Sequence, residues 1–433
     1  MGQLERPQAI VMNMFYTGLG IARSLGEQGI PVIGLTSQPG IYGNFTRYAK
    51  TVFCPDSRRE PEALLAWLIK MGNNLGCRGV LFPTRDDDVE FLDRFRGELE
   101  RYFVLTIPES VALRGCLDKW ETYLWARQAD VKTPQCWLIE RKEDIARVVH
   151  EVTFPCVLKP VASRDWRMGR NWEIVGARKA IGISSREELF AAYTDISCAD
   201  ERALVQEMVL GGDDCLLIAA CYLDRNSQFV AGFNTQKLAQ SPEGFGTGCI
   251  VQTVDRPELF APTLRILQKM RFTGIAEVEY KWEASSGEYQ LIEINPRPWD
   301  QHRLGKTCGT DLVLCSYCDH AGLKTPALPR QAQPQKWIAE DTFCMTALRL
   351  LWNRDPKWWT LFRLARGRRI YAVWSTWDPL PSVAYCITRF IPGLFRTGAK
   401  VLCSAIIGRR LDKVPLQGGS MYEKHFENDK RPS

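Results

Sequence analysis

The sequence predicts a protein of mixed α/β and α+β class with more than one domain. Short apolar strands alternate with amphipathic helices over the first 110 residues, strands dominate residues 154–295, and the last quarter is rich in basic residues and tryptophan. At 433 residues the chain is long enough for two or three domains with separate cores. Its 45% hydrophobic and 24% charged residues exclude a disordered or fibrous protein.

The N-terminal region is typical of a doubly wound parallel sheet. Residues 8–14 form a short apolar strand, residues 16–20 are predicted as a turn, residues 21–28 as a helix, and residues 30–35 as the next strand. A strand, a turn, a helix and a second strand within about 30 residues make a βαβ unit, which implies parallel strands. The same alternation continues, so the sheet is predicted to extend over residues 1–110.

Two motifs in this region have an ordinary structural interpretation. Gly18 and Gly20 suggest a dinucleotide-binding turn and hence an NAD-dependent enzyme, but Arg23 occupies the place of the third glycine. A tight turn or a substrate-facing loop is therefore favoured. Asp86, Asp87 and Asp88 follow a strand; they could bind an amine or a metal, but acids at a helix N-terminus are favoured.

One lysine stands out in the middle of the chain. Lys159 ends the apolar strand predicted over residues 154–160. Burying a lysine is costly unless an anion pairs with it, and a nucleotide phosphate would be such an anion. The alternative is a lysine whose ammonium group reaches solvent at the strand end.

Two acidic strands give the strongest chemical signal. Glu293 and Asn295 lie two residues apart in the strand 289–295, so they share one face. Glu277 and Glu279 share a face of the strand 274–282, and the turn between the strands predicts a hairpin with Glu279 opposite Glu293. Carboxylate and amide oxygens at neighbouring strand ends are ligands suited to Mg²⁺. The alternative is a pair of solvated strands with incidental charges.

The segments GIAEVEYKW (274–282) and LIEINPRPW (291–299) resemble the metal-binding end of the ATP-grasp superfamily. The resemblance covers about residues 8–320, and the subgroup it resembles is the predicted carboxylate–amine ligases similar to D-aspartate ligase. It implies a pre-ATP-grasp domain and a two-lobed ATP-grasp fold. The implied domains are a pre-ATP-grasp domain at 1–110, a catalytic region at 111–325 with a smaller nucleotide lobe at about 130–208, a linker at 326–340, and a basic helical extension at 341–433.

The resemblance also implies a site. Its catalytic residues would be Arg297 and Lys237, and its metal ligands Glu279, Glu293 and Asn295. Its cofactors would be ATP and Mg²⁺, with Mn²⁺ as a substitute. The implied nucleotide-binding residues are Lys119, Lys159, Gln206, Glu207, Val209, and Asp213 or Asp214 at the ribose.

The implied reaction joins a small-molecule carboxylate to an amine through an acyl phosphate, with release of ADP and phosphate. A second hypothesis keeps the fold without turnover, as a nucleotide-binding, membrane-docking factor of a surface-polymer pathway. The chain departs from the family between Ser163 and Trp172, where three arginines and a single glycine replace a glycine-rich flap. The arginines could neutralise phosphate there instead.

The basic charge is concentrated at the C-terminus. Residues 341–433 carry 16 Lys and Arg against 7 Asp and Glu, whereas the whole chain has a net charge of only +6. The mixture of basic, aromatic and aliphatic residues suits an anionic membrane surface, but a helical appendage packed on the catalytic core is an equal alternative. No nucleic-acid partner is expected. The polar N-terminus and scattered cysteines predict a cytoplasmic protein, with peripheral contact at the inner face of the membrane as one option.

Overall fold

The N-terminal domain is a parallel five-stranded sheet in the computed structural model, which describes residues 6–329, 334–393 and 395. Its elements are β1 Ala9–Met12, α1 Tyr16–Gly26, β2 Val32–Thr36, β3 Lys50–Phe53, α2 Pro61–Asn73, β4 Gly79–Phe82, α3 Asp86–Arg94, α4 Arg96–Leu99 and β5 Phe103–Leu105. The strand order β3-β2-β1-β4-β5 confirms the doubly wound prediction. Ala9 and Val11 pack in a core with α1, whereas Ile10 and Met12 pack with α2 and α3, so helices cover both faces.

The turn predicted over residues 16–20 is wrong, because these residues are the start of α1. A β-carbon on Gly18 would lie 1.8 Å from the backbone oxygen of Asn13, and one on Gly20 would lie 2.6 Å from Nε2 of His302. The two glycines therefore permit close packing around the beginning of a helix.

A smaller lobe follows, with a four-stranded antiparallel sheet in the order β6-β9-β7-β8. Its strands lie inside the range 130–208 expected for a nucleotide lobe. A buried cluster that includes Val148 on one helix and Leu189 on another covers the sheet. The elements of this part are α5 Ser110–Leu117, α6 Lys119–Gln128, β6 Cys136–Ile139, α7 Asp144–Glu151, β7 Cys156–Pro160, α8 Asn171–Ile174, β8 Ile181–Ile183, α9 Arg186–Ile196 and β9 Ala203–Glu207.

The larger lobe is built on a seven-stranded sheet in the order β14-β13-β10-β11-β12-β15-β16. The range 326–340, expected to be a linker, ends in a strand that pairs with Ile250–Gln252 and so extends this sheet. The elements are β10 Leu216–Leu223, β11 Phe229–Ser241, β12 Thr247–Val254, α10 Phe260–Lys269, β13 Gly274–Glu283, β14 Glu288–Asn295, α11 Leu304–Thr307, α12 Leu312–His320, β15 Lys336–Ile338, α13 Glu340–Trp352, α14 Lys357–Leu364, β16 Arg369–Tyr371 and α15 Pro379–Tyr385, followed by a π-helical turn Cys386–Phe390.

The C-terminal region, expected to be a helical extension, contributes a strand and packs on the N-terminal domain. Asp378 is buried and accepts hydrogen bonds from Nε of Arg23 at 2.9 Å, Oγ1 of Thr46 at 2.7 Å and the backbone N–H of Arg47 at 3.0 Å. Arg23 also donates to the backbone oxygen of Val373 at 2.9 Å. This buried ion pair fixes the region to α1 because each charge satisfies the other in a dry environment.

Asp378→Asn is expected to lower the free energy of unfolding by about 3 kcal/mol, because it leaves the Arg23 guanidinium buried without its counter-charge. Thermal and urea unfolding of the full chain would measure the loss. Asp355→Asn, at a half-buried carboxylate on the α13–α14 connection, is the matched control and should change stability by less than about 0.5 kcal/mol. An equally small effect for Asp378→Asn would contradict the assigned role.

Candidate active site

A cavity of about 630 Å³ opens where the N-terminal domain, the smaller lobe and the larger lobe meet. Side chains from all three parts line it, including Thr17, Lys159 and Glu279. Ten of the lining residues are Lys or Arg and seven are Asp or Glu. The excess of positive charge suits a polyanionic ligand.

The hairpin of β13 and β14 forms one wall of this cavity. Glu279 is paired with Glu293 and Glu277 with Asn295 in the antiparallel register, so the predicted hairpin and its pairing are confirmed. Side chains directly opposite each other in such a pair lie about 5 Å apart. Glu277, Glu279, Glu293 and Asn295 all line the cavity, so their oxygens share one side of the sheet.

Neighbouring groups compensate the negative charge of this wall. Asn295 donates from Nδ2 to Glu277 at 3.1 Å, and burial raises the pKa of Glu277 to about 8, so this carboxyl keeps its proton at neutral pH. Lys237, on β11, donates to Glu279. Burial opposes the charge of Lys237, but the Glu279 carboxylate outweighs burial and raises the pKa of Lys237.

Two further lysines approach the same wall from the smaller lobe. Lys119 begins α6, after Asp118 caps that helix, and donates to Oγ of Ser163 at 2.8 Å. Burial alone would raise the pKa of Glu293, but Lys119 and then Lys159 outweigh burial and lower it. Lys119 and Lys159 therefore lie close enough to Glu293 to stabilise its ionised form.

Lys159 is buried on β7, with 7% of its surface exposed. Its Nζ donates to Oε1 of Gln206 on β9 at 2.6 Å. Burial lowers the pKa of Lys159 to about 8. A neutral amide is a weak partner for a buried ammonium group, so the site holds a lysine that gains from an incoming anion.

A strip of mainly apolar residues lines the cavity beside Lys159. Glu207 and Val209 are part of it, and the backbone N–H groups of Glu207 and Met208 donate to Gln135 and Pro155. Side chains of Val157, Leu216 and Ile292 complete this strip. This mainly apolar lining suits an aromatic ligand.

Arg297 follows the end of β14 and reaches the N-terminal domain. Its Nε donates to Oδ1 of Asp86 at 2.7 Å. Burial opposes ionisation of Asp86, but Arg297 outweighs burial and lowers the pKa of Asp86. Asp88 has the predicted role at the N-terminus of helix α3, because its carboxylate accepts a hydrogen bond from the backbone N–H of Arg85 at 3.1 Å. Asp86, in contrast, also lines the cavity.

Comparison with known proteins identifies the fold in which these features lie. No protein-family model matches the chain. It is 24% identical to the D-aspartate ligase of Enterococcus faecium (strain Aus0004) over 266 residues, which cover 58% of this chain and 62% of the ligase. The match thus spans less than two thirds of that relative.

Solved structures of the same fold cover more of the chain. N5-carboxyaminoimidazole synthetase from Staphylococcus aureus complexed with ADP aligns with a TM-score of 0.62 and 14% identity over 83% of this chain and 89% of that one. L-amino acid ligase from Bacillus licheniformis aligns with a TM-score of 0.56 and 12% identity over 73% and 75% of the two chains. The chain therefore has an ATP-grasp fold.

The segment between Ser163 and Trp172, which departs from the ATP-grasp pattern, is anchored to the rest of the fold. Trp166 is buried, Arg164 pairs with Glu90 of α3, and Arg58 donates to the backbone oxygen of Arg167. The side chain of Arg164 is therefore already paired with an acid. Ser163, Trp166 and Arg167 still line the cavity, so the segment contributes a wall in place of a glycine-rich flap.

The two candidate ribose ligands do not join the other predicted residues. Neither Asp213 nor Asp214 lines the cavity. Asp213 accepts from the backbone N–H of Gln240 at 2.7 Å, from its side chain at 2.8 Å and from the backbone N–H of Gly244 at 3.3 Å. Asp213 thereby fixes the turn that joins β11 to β12, and Gly244 and Phe245 of that turn reach the cavity.

Sequence reasoning missed several residues of the ATP-grasp cavity. Asp300 accepts from Oγ1 of Thr17 at 2.7 Å, and both line the end formed by the N-terminal domain, together with Trp299. Lys179 and Lys281 line it elsewhere. Asp300 stands one residue after the recognised LIEINPRPW segment, which was the only available signal.

The oxygen atoms of this ATP-grasp site fit a magnesium ion. Within the described part of the chain, no three His, Cys, Asp or Glu side chains form a metal-binding group. The predicted set instead combines two carboxylates, Glu279 and Glu293, with the amide oxygen of Asn295. Mg²⁺ accepts such oxygen ligands and usually completes its shell with water and substrate phosphates.

Proposed function

We propose that this chain is an ATP- and Mg²⁺-dependent ligase that joins a carboxylate to an amine through an acyl phosphate. The observation that carries the proposal is that one cavity is lined by Lys119 and Lys159 from the smaller lobe and by Lys237, Glu279, Glu293 and Asn295 from the larger lobe. Phosphoryl transfer needs positioned cations around a triphosphate, and this arrangement supplies them.

The proposed roles follow from position. The adenine base of ATP would lie on the apolar strip next to Gln206, Glu207 and Val209. Lys119 and Lys159 would bind the phosphates. Glu279, Glu293 and Asn295 would hold Mg²⁺, which neutralises phosphate charge when bound; Mn²⁺ has similar ligand preferences and would substitute. The proposed role of Asp213 is to stabilise the turn between β11 and β12.

The reaction then has two steps. A carboxylate oxygen of the first substrate attacks the γ-phosphorus of ATP, the bond to the ADP oxygen breaks, and an acyl phosphate forms. The amine nitrogen of the second substrate attacks the acyl carbon, loses a proton, and phosphate leaves. Lys237 and Arg297 are proposed to stabilise the negative charge on the transferred phosphoryl group and the acyl oxygen.

The substrate class is proposed from two similarities. The E. faecium relative is a D-aspartate ligase and the B. licheniformis structure is an L-amino acid ligase. An amino acid is therefore proposed as one of the two substrates, taken either through its carboxylate or through its amine.

The test is ADP release by the purified full chain with ATP, Mg²⁺ and pools of carboxylates and amines, with the Glu293→Gln variant as the control for contaminating ATPases. ADP release that requires both pools and is lost in the variant is expected. Nucleotide binding without ADP release in every pool would contradict ligase activity and would favour the non-catalytic alternative.

A cytoplasmic location is proposed from the thiols. No disulfide joins any of the 14 cysteines of the described residues, and Cys77 and Cys198 are exposed. Exposed thiols outside disulfides are typical of a reducing compartment. None of the helices in the described ranges has the length and apolar character needed to span a bilayer.

A further inference from the structure

Exposed apolar side chains are concentrated near the C-terminus of the described chain. Of the 22 exposed large hydrophobic residues in the described ranges, 12 lie between Leu348 and Phe395. The four tryptophans that are exposed among the described residues all belong to this group, namely Trp352, Trp359, Trp374 and Trp377. Such a concentration in one part of the chain points to an interaction surface, because single exposed apolar residues are normally scattered.

One helix combines these residues with positive charge. Trp359, Phe362, Arg363 and Arg366 are all exposed and follow one another at intervals of three, one and three residues along α14 and its C-terminal turn. Residues with this spacing lie on one side of a helix. We refer to these four residues as the aromatic-basic face.

Aromatic side chains pack beneath the aromatic-basic face and support it. Trp359 is 60% exposed and stacks on Trp358, with ring centroids 4.5 Å apart and an interplanar angle of 22°. Trp358 and Phe343 contact Phe362 edge-on, and Trp358 packs against the core that contains the buried Leu361. The outward position of Trp359 is therefore supported from beneath.

The charge around the face is strongly positive. Between residues 349 and 369 the chain has a single acidic residue, Asp355. Lys357 is partly neutralised by Glu243, at 2.9 Å on the β11–β12 turn. The basic residues in this interval are Arg349, Arg354, Lys357, Arg363, Arg366, Arg368 and Arg369.

We infer that the aromatic-basic face docks on an anionic lipid bilayer. Tryptophan and phenylalanine insert at the boundary between the lipid headgroups and the acyl chains, and arginines beside them pair with lipid phosphate. One bilayer surface therefore binds both the aromatic and the basic residues of the face. A second copy of the chain is a poorer occupant, because a symmetric contact would bring the basic residues of one face against the basic residues of the other. This inference is independent of the proposed ligase activity.

Flotation of the full chain with lipid vesicles tests the inference. The chain is expected to float with vesicles of phosphatidylcholine and phosphatidylglycerol, to remain below with phosphatidylcholine alone, and to detach as salt is raised. Arg363→Glu with Arg366→Glu should lower the partition coefficient about tenfold or more, since each basic residue contributes to surface attraction. Trp359→Ala with Phe362→Ala should lower it by a similar factor.

Matched controls come from exposed residues elsewhere. Phe190→Ala on α9 and Arg101→Glu after α4 should leave partitioning unchanged, and thermal unfolding should show that every variant is folded. Equal partitioning of the wild type and both double variants would overturn the inference. So would equal binding to neutral vesicles, or concentration-dependent self-association that Trp359→Ala abolishes in the absence of lipid.

Discussion

Replacing Lys159 by methionine is expected to lower kcat/KM for ADP formation by about 10²–10³-fold, because one preorganised cation at the phosphates is lost. The same substitution should stabilise the nucleotide-free protein. Burial lowers the pKa of Lys159 to about 8, so the folded chain binds this proton less readily than the unfolded chain at neutral pH. This destabilisation is present in full below pH 8 and disappears as the pH rises toward 10.5. The substitution should therefore raise the free energy of unfolding at neutral pH by about 3 kcal/mol.

The opposite signs of these two effects make the prediction specific. Thermal unfolding and steady-state ADP release, measured on one preparation, would detect both. Lys142→Met, at an exposed lysine of the same lobe that pairs with Glu201 at 3.5 Å, should change neither quantity appreciably. Unchanged turnover in Lys159→Met would show that the phosphates lie elsewhere.

The pKa of Lys159 also predicts a pH dependence. The charged form binds phosphate, and the empty site loses its proton above pH 8. Nucleotide affinity should therefore fall as the pH rises beyond that value, by up to about tenfold per pH unit. Titration calorimetry would measure the slope, and Lys159→Met should reduce it to the part that ionisation of Glu277 contributes.

Replacing Glu293 by glutamine is expected to lower ADP formation by about 10³-fold, because metal ions contribute several kcal/mol of charge stabilisation in phosphoryl transfer. Glutamine keeps the size and one oxygen but removes the charge that Lys119 and Lys159 hold ionised. The variant should also need a higher Mg²⁺ concentration for half-maximal activity. Activity measured over a Mg²⁺ titration gives both values.

Glu288→Gln provides the control for this experiment. Glu288 begins the same strand, lies outside the cavity and pairs with Lys132 at 3.5 Å. Its replacement should leave the Mg²⁺ dependence unchanged. Identical Mg²⁺ titrations for Glu293→Gln and the wild type would remove Glu293 from the metal site.

The acidic hairpin could be predicted from sequence because its signal is local. Alternation places Glu293 and Asn295 on one face, and the short turn after β13 sets the register with Glu279. The contact between Arg297 and Asp86 joins residues 211 positions apart. No local pattern encodes such a contact, so the sequence favours a helix-end role for this aspartate over binding of an amine or a metal.

The other differences between the sequence predictions and the structure also arise from contacts that are not local in sequence. The spacing of Gly18 and Gly20 is shared by tight turns and by helices that pack closely on a neighbour. The close approach of Asn13 to Gly18 and of His302 to Gly20 shows that the second case applies. Likewise, β15 and β16 are each three residues long and become strands through pairing with the larger lobe. Their short segments carry no periodicity that could reveal this.

A crystal structure of the full chain with ADP and Mg²⁺ tests most directly whether one cavity binds the metal and the nucleotide. The result predicted here places the phosphates within hydrogen-bonding distance of Nζ of Lys119 and Lys159. It also places a magnesium ion on oxygens of Glu279, Glu293 and Asn295. A nucleotide bound outside this cavity, or a metal ion held by other residues, would contradict the central claim.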